Sequence, residues 1–141
     1  LYGPGDMNLT RVIPNNIKQI LNNKNPMIWR GSEKSTREFL YIDDAVDAYL
    51  SLVEYIDETK GNAYNIGSGE VITIEKLLKF LIKEMKSDLK IDYLFKDFPE
   101  ISHQYLDSTK IFEEIGWEAS TFLKDGLQET IKFYKGYNDK S

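Results

Sequence analysis

Two arginines and one asparagine are the side chains in this sequence best suited to binding a small anion. Arg11 opens a predicted helix, Arg37 lies at the base of a predicted strand, and Asn65 precedes a Gly-Ser-Gly turn. A guanidinium binds phosphate oxygens in a bidentate manner and stays charged at neutral pH, and an Asn amide offers both a donor and an acceptor. Spacing alone leaves two interpretations open: a site for a diphosphate-bearing small molecule, or surface salt bridges and a turn-stabilising hydrogen bond.

The remaining candidates for chemistry have plain structural alternatives. Trp29 lies near a loop and could stack on a flat ligand, although packing in a core is the more common role of such a residue. His103 is the single histidine and has no identifiable catalytic partner, so a hydrogen-bonding or surface role is favoured. Asp43 and Asp44 could act as paired carboxylates, but adjacent residues at a helix start diverge and helix capping accounts for at least one of them.

Composition excludes several classes of function. The chain has 141 residues, no cysteine and one histidine, which excludes disulfide scaffolds, thiolate catalysis and a multi-histidine zinc site. A net charge of −5 argues against nucleic-acid and anionic-membrane partners. No apolar run approaches the roughly 20 residues that span a bilayer, so we expect a cytoplasmic protein. No Gly-x-Gly-x-x-Gly motif or P-loop is present.

The stretch from Thr36 to Leu52 predicts a strand followed directly by a helix. Residues 38–42 have the composition of a half-buried strand, and Asp43 can cap the helix that follows. The spacing of the apolar residues in that helix predicts one continuous buried stripe, made by Ala45, Ala48, Tyr49, Leu52, Val53 and Ile56. The stretch therefore predicts a cation, Arg37, held at the entry of a strand that leads into a helix.

Periodicity and capping residues predict the other elements. Further helices are expected in four segments: from Asn8 or Thr10 to Leu21 with Pro14 in its first turn, from Thr73 to Met85, from Ser108 to Gly116, and from Thr121 to Tyr134. Short strands are expected at 27–29, 63–66, 71–72, 89–95 and 101–106, and residues 57–61 are a predicted connector. The opening Leu1 to Gly5 is typical of a turn leaving a strand, so we expect a piece of a longer polypeptide; a processed but complete protein is the alternative.

Several motifs, in the same order, resemble a known family. They are Tyr-Gly-Pro-Gly-Asp at 2–6, Arg-Val-Ile-Pro at 11–14, Thr-Arg-Glu-Phe-Leu-Tyr-Ile-Asp-Asp-Ala at 36–45, Tyr-Asn-Ile-Gly-Ser-Gly at 64–69, Leu-Asp-Ser-Thr-Lys at 106–110 and Ile-Gly-Trp at 115–117. Together they resemble the C-terminal part of extended short-chain dehydrogenases/reductases, the NAD-dependent nucleotide-sugar epimerases and dehydratases. Among members, the CDP-glucose 4,6-dehydratases look most similar.

The resemblance implies an α/β fold in which short strands form small sheets packed with about five helices. It implies that residues 1–137 are the C-terminal nucleotide-sugar-binding portion, with a disordered tail at 138–141. The Rossmann domain that binds NAD and carries the catalytic Tyr-x-x-x-Lys pair would lie outside this chain. No catalytic, cofactor-binding or metal-binding residue is therefore expected here, and the full-length enzyme would be a homodimer.

The same resemblance implies roles for individual residues. Arg37 would hold the diphosphate, Arg11 and Val12 would line the sugar-nucleotide cleft, and Asn65 would lie beside the nucleotide. Trp29 or Ile28 would lie near the base. His103 to Tyr105 falls where relatives often place a basic residue, so both ends of that segment are candidate substrate contacts.

Three functions remain open at this point. The first is the substrate-binding part of a nucleotide-sugar 4,6-dehydratase, and the second is the same part of a 4-epimerase. The third is a free-standing, non-catalytic module that binds a nucleotide sugar or a protein. An RNA-binding relative of the same fold is disfavoured by the acidic balance of the chain.

Overall fold

The computed structural model describes residues 1–95 and 101–138 of the chain. In these residues the helices are α1 Val12–Leu21, α2 Ile42–Glu54, α3 Ile56–Thr59, α4 Ile74–Glu84, α5 Thr109–Ile115 and α6 Leu123–Asn138. The strands are β1 Met27–Trp29, β2 Thr36–Glu38, β3 Val71–Thr73, β4 Asp92–Leu94 and β5 His103–Gln104. The predicted α/β fold of short strands and helices is confirmed. About five helices were expected, and the described residues contain six. The additional helix is the four-residue α3, which covers part of the predicted connector.

The strands form two small sheets. β1 pairs with β4 in parallel, with Ile28 opposite Tyr93. In the second sheet β2 is the middle strand, antiparallel to β3 and parallel to β5. Arg37 lies in that middle strand, opposite Ile72 on one side and Gln104 on the other. Parallel pairing of β2 with β5, which lies more than sixty residues later in the chain, brings two distant segments together at this sheet.

The main core lies between α1, α4 and α6. Each helix contributes apolar side chains at helical spacing: Ile13, Ile17 and Ile20 from α1, Leu77, Leu78 and Leu81 from α4, and Leu127, Ile131 and Tyr134 from α6. Burying each such aliphatic side chain contributes about 1.5–3 kcal/mol. These three helices were predicted from periodicity and are confirmed, and one-sided apolar periodicity leaves only one face of each that can be buried.

Several helix ends also agree with prediction. Pro14 lies in the first turn of α1, Thr73 caps α4 by accepting from the Lys76 N–H, and Gly116 ends α5 with a left-handed φ of 71°. The predicted caps of the first helix were wrong, since the N-cap is Arg11. Ser108 is the N-cap of α5, but its hydroxyl accepts a hydrogen bond from the Gly67 N–H rather than from its own helix.

The prediction of a strand at 38–42 capped by Asp43 was wrong in its boundaries. β2 ends at Glu38, and α2 begins at Ile42 with Tyr41 as its N-cap. The cause is the N-terminal segment: the Tyr2 N–H donates to Leu40 O (3.0 Å) and the Ile42 N–H donates to Tyr2 O (2.9 Å). These bonds fix the backbone of residues 40–42 against Tyr2, and the helix starts immediately afterwards.

The predicted stripe of α2 is buried only in part. Ala45 and Ala48 pack in a second core cluster with Leu40, Ile111 and Trp117. Tyr49, Val53 and Ile56 are instead 67%, 66% and 51% exposed. Helix α2 carries apolar residues on more than one face, so periodicity alone did not identify the face that packs against the described residues.

Three predicted strands differ from the structure, and one prediction lies outside it. In the described residues, no strand includes 63–66, β4 is limited to Asp92–Leu94, and β5 to His103–Gln104. A strand is recognised by its pairing, and these segments are paired only where β1 and β2 lie alongside them. Of the predicted tail, Asn138 ends α6 and residues 139–141 lie outside the described residues.

Candidate functional site

A cavity of about 800 Å³ lies between the start of α1, the strands β1 and β2, and the segment after β5. This volume is within the range of small-molecule sites, about 300–1,000 Å³. Its lining includes apolar side chains such as Val12, Ile28 and Phe39 and charged side chains such as Arg11 and Arg37. A mixed lining of this kind suits a ligand with one flat or apolar end and one anionic end.

The structure brings most of the sequence-predicted site residues to this cavity. Arg11, Val12, Trp29, Arg37 and Tyr105 all line it. The other lining residues come from separate segments spread between Leu1 and Leu106, so the cavity exists only in the folded protein. Their roles toward a ligand remain predictions.

Asn65 and His103 lie beside the cavity and bind its walls together. The Asn65 side-chain amide donates to Asp107 O at 3.1 Å, which links the segment before β3 to the segment after β5. His103 Nδ1 and Thr36 Oγ1 are hydrogen-bonded at 2.9 Å across the β2–β5 pair. The observed bond of Asn65 joins two distant segments and does not stabilise the Gly-Ser-Gly turn, and its role toward a ligand stays a prediction.

Arg37 is half-buried and anchored on backbone carbonyls at the cavity. Its Nη1 donates to Thr36 O and to Ile101 O, both at 2.8 Å. A guanidinium has five N–H donors in a rigid plane, and these two bonds fix the direction of that plane. The cation is therefore pre-oriented before any ligand arrives, which reduces the entropy lost on binding.

Arg11 also lines the cavity, at the start of α1. Its Nη1 forms an ion pair with Asp6 at 3.2 Å, and Asp6 also accepts from the Asn8 N–H at 3.1 Å. No acidic residue lies in the first turn of α1, and Arg11 makes no side-chain cap. The positive end of the helix dipole and a guanidinium therefore act at the same edge of the cavity.

Two aromatic side chains stand at the rim. Trp29 ends β1 and is 40% exposed, and Tyr105 is 65% exposed. The neighbouring Ile28 is 4% exposed and belongs to the core. Of the predicted pair Trp29 and Ile28, Trp29 thus presents the larger accessible surface to a flat ligand, while Ile28 packs in the interior.

Asn16 is a cavity residue that the sequence analysis missed. It is 1% exposed, its amide donates to Val12 O at 2.8 Å, and its Oδ1 accepts from the Met27 N–H at 2.7 Å. These bonds hold the start of β1 against α1. The available signal was a polar residue within the apolar face of α1, between Ile13 and Ile17, since a buried amide must find partners.

Glu38 is the second residue that was missed. Its Oε1 accepts from the Gly69 N–H at 2.7 Å and its Oε2 accepts from the Leu106 N–H at 2.8 Å. Both partners are distant in sequence, so no local pattern indicated them. Glu38 also lines the cavity, directly after Arg37.

The adjacent carboxylates of α2 have different environments. Asp44 is 4% exposed and accepts from the Ser120 N–H, the Ser120 hydroxyl and the Thr121 N–H at 3.0–3.2 Å. Asp43 is exposed in the first turn of α2. The two side chains diverge as expected, and Asp44 has the structural task of holding the segment before α6.

Residues 1–95 and 101–138 contain neither a candidate metal-binding cluster nor a candidate membrane-spanning helix. No group of three or more His, Asp or Glu side chains there could hold a metal ion. No helix in that part of the chain is both long enough and apolar enough to cross a membrane.

Comparison with known protein families identifies relatives of this chain. Residues 1–67 match the model of the "NAD dependent epimerase/dehydratase family". The chain is 35% identical over 123 residues to a dTDP-4-dehydro-6-deoxyglucose reductase of Escherichia coli, covering 86% of this chain and 37% of that protein. It is 32% identical over 142 residues to the human dTDP-D-glucose 4,6-dehydratase, covering 96% of this chain and 39% of that protein. The chain thus spans about two fifths of the length of these relatives.

Solved structures show the same fold. A UDP-glucose 4-epimerase of Thermotoga maritima, solved with UDP-glucose, superposes with a TM-score of 0.86 at 26% identity, covering 97% of this chain and 44% of that one. A dTDP-glucose 4,6-dehydratase of Bacillus anthracis, solved with NAD, has a TM-score of 0.84 at 22% identity, covering 98% and 43%, and supports the fold alone. The fold is that of the C-terminal portion of such dehydratases and epimerases.

Proposed function

We propose that this chain is the substrate-binding part of a nucleotide-sugar 4,6-dehydratase. The chain is a relative of nucleotide-sugar dehydratases and epimerases, and its first 67 residues match the NAD-dependent epimerase/dehydratase family. Its motifs favour a CDP-glucose-like substrate. The observation that carries the proposal is the meeting of Arg11, Arg37 and the start of α1 at one cavity. By this proposal the chain binds substrate and does not turn it over by itself.

By this proposal two cations that line the cavity contact the anionic part of the ligand. Arg37 is held in a fixed direction by its bonds to Thr36 O and Ile101 O, and Arg11 stands beside the positive end of α1. A diphosphate carries negative charge on two adjacent phosphates, so two guanidinium groups lining one cavity match it in charge. The Asp6 carboxylate limits the reach of Arg11 and keeps it at the rim.

The aromatic rim supports a flat group at the other end of the ligand. Trp29 and Tyr105 both line the cavity and both keep a large part of their surface accessible. Stacking of a base on such side chains contributes about 1–3 kcal/mol and tolerates any base. The identity of the base would then be recognised by polar groups. The candidates predicted from the sequence are Asn65 and His103, which lie beside the cavity.

NAD does not fit the described residues as a ligand of their own. The Gly67–Gly69 turn leads into β3 rather than into a helix, and a β-carbon at Gly67 would lie 2.6 Å from Glu38 Oε1. The space beside that glycine holds a carboxylate, which repels a pyrophosphate. A bound NAD would supply transient oxidation at C4 of the sugar, and its binding and the catalytic Tyr-x-x-x-Lys pair are assigned to a Rossmann domain of the same protein.

An exposed apolar face on α2 supports the presence of that further domain. Val46, Tyr49, Leu50 and Val53 lie at i, i+3, i+4 and i+7 and are 50–67% exposed. A continuous apolar stripe of this kind marks an interaction surface. We assign it to contact with the Rossmann domain, and self-association of the chain alone is the expected consequence when that domain is missing.

The experiment uses the full-length protein and a panel of nucleotide sugars. CDP-glucose, dTDP-glucose, UDP-glucose and GDP-mannose are each incubated with enzyme and NAD, and a 4-keto-6-deoxy product is sought by its alkaline absorbance and by mass spectrometry. Loss of one water from one substrate supports the dehydratase. Turnover of none of the four, together with no binding by calorimetry, would refute the proposal.

A 4-epimerase is the second candidate, because the UDP-glucose 4-epimerase of Thermotoga maritima is similar to this chain in both sequence and fold. The same incubation separates the two functions. An epimerase converts its substrate to an isomer of equal mass, with no 4-keto-6-deoxy product. A non-catalytic module would bind a nucleotide sugar and leave it unchanged, and a coding sequence upstream of Leu1 that lacks a Gly-rich strand–turn–helix would support that alternative.

A further inference from the structure

We propose that Glu38 is a positioning residue that holds two walls of the cavity at a fixed separation. Its Oε1 accepts from the Gly69 N–H at 2.7 Å and its Oε2 accepts from the Leu106 N–H at 2.8 Å. One carboxylate thus binds the turn before β3 and the segment after β5 at the same time. The inference rests on the proposed function, because positioning matters only if the cavity binds a ligand.

The sheet explains why one side chain can reach both walls. Glu38 is the last residue of the middle strand β2, and its two partners lie just outside the neighbouring strands. Gly69 comes two residues before β3, and Leu106 comes two residues after β5. Because β2 pairs with both strands, a side chain at its end lies midway between the two segments.

The Gly67–Gly69 turn packs directly on this carboxylate. A β-carbon at Gly67 would lie 2.6 Å from Oε1 and 2.9 Å from both Cδ and Oε2 of Glu38, so a larger residue there would have to displace the carboxylate. Gly67, Leu106 and Glu38 all line the cavity. The carboxylate therefore sets both the position of the turn and the width of the cavity between the two segments.

A direct electrostatic role and a positioning role for Glu38 predict opposite changes in ligand affinity when its charge is removed. A carboxylate beside Arg37 opposes a diphosphate, so removing its charge alone would tighten binding. A glutamine at this position keeps one acceptor oxygen but turns an NH₂ group toward the second backbone N–H. One wall would lose its hydrogen bond, and binding would weaken. The sign of the change in affinity separates the two roles.

The test compares Glu38→Gln with Glu70→Gln in the full-length protein. Glu70 is the matched control, because its Oε2 accepts from the Leu123 N–H at 2.5 Å and it does not belong to the cavity lining. Affinity is measured by calorimetry with UDP-glucose, dTDP-glucose and CDP-glucose, and backbone hydrogen exchange is measured by mass spectrometry. If Glu38→Gln does not fold, Glu38→Asp replaces it, since the shorter side chain cannot span both partners.

We expect Glu38→Gln to raise the Kd of the bound nucleotide sugar about tenfold or more and to speed exchange at residues 66–69 or 104–107. Glu70→Gln should leave the Kd unchanged and alter exchange at the start of α6 alone. Equal or tighter binding by Glu38→Gln, or unchanged exchange in both segments, would overturn the inference. If the unmodified protein binds none of the three nucleotide sugars, the proposed function fails, and the exchange rates alone decide whether Glu38 links the walls.

Discussion

The ring of Tyr2 fills the space that a β-carbon at residue 126 would need, so Tyr2 and Gly126 are in direct contact in the main core. Gly126 lies within α6, and a β-carbon there would also lie 2.8 Å from Tyr41 Cδ2. Tyr2 in turn donates its hydroxyl to Leu123 O at 3.3 Å. The first residues of the chain are therefore packed against α6, next to Tyr41 at the start of α2.

Gly126→Ala should destabilise the protein by about 1–3 kcal/mol, the usual penalty for overpacking a core. The matched control is Gly136→Ala in the same helix, where no atom lies within 4 Å of the added methyl group. Alanine is favoured over glycine inside a helix by about 1 kcal/mol, so the control should be neutral or stabilising. Urea denaturation of both variants measures the difference, and equal stabilities would contradict the close packing.

Arg37→Ala in the full-length protein should weaken nucleotide-sugar binding by about 1.5–3 kcal/mol, the scale of a hydrogen bond to a charged group. Arg30→Ala is the control, because the Arg30 guanidinium lies 4.8 Å from the Phe95 ring and is not part of the cavity lining. Calorimetry measures both affinities. Unchanged affinity in Arg37→Ala would refute a role in holding the diphosphate.

Asp44→Ala should lower the free energy of unfolding by about 3 kcal/mol, because two backbone N–H groups and the Ser120 hydroxyl lose their buried acceptor. Asp43→Ala removes an exposed carboxylate from the same helix turn and should cost less than about 1 kcal/mol. Denaturant unfolding compares the two variants. Similar losses would show that the link between α2 and the segment before α6 contributes little.

Val53→Lys should reduce self-association of the 141-residue chain, because it places a charge in the exposed apolar face of α2. Val71→Lys is the control, since Val71 is 49% exposed on β3, away from that face. Sedimentation velocity and binding of a hydrophobic dye report the change. A chain that is strictly monomeric and binds no dye before substitution would count against an interaction surface on α2.

The stability of the protein should fall as the pH rises above about 10, the usual pKa of tyrosine. Burial raises the pKa of the Tyr2 hydroxyl, and burial also raises the pKa of Tyr41 and Tyr134. Above the pKa of the unfolded chain, the unfolded state loses these protons first, so it becomes favoured as the pH rises toward the folded-state values. Tyr2→Phe should show a shallower loss in urea denaturation at alkaline pH, and an identical slope would contradict this role.

Much of the helical framework could be predicted because it depends on short-range spacing. In α4 and α6 the apolar residues lie on one face, so a single pattern indicates both the helix and its buried side. Helix α2 has apolar residues on two faces, and its spacing could not say which of them packs on Leu40 and Trp117. Residues 63–66 have the composition of a strand, yet composition cannot supply the neighbouring strand that pairing requires.

The sequence by itself determined that two arginines lie at a helix start and at a strand base, and that its motifs resemble those of nucleotide-sugar epimerases and dehydratases, because these features are local in the chain. Only the tertiary structure decided that Arg11, Arg37 and Tyr105 share one cavity while Asn65 and His103 lie beside it. It also revealed the bonds of Glu38 to Gly69 and Leu106, which lie 31 and 68 residues further along the chain. Such contacts arise when separate segments pack, and no spacing within any one segment encodes them.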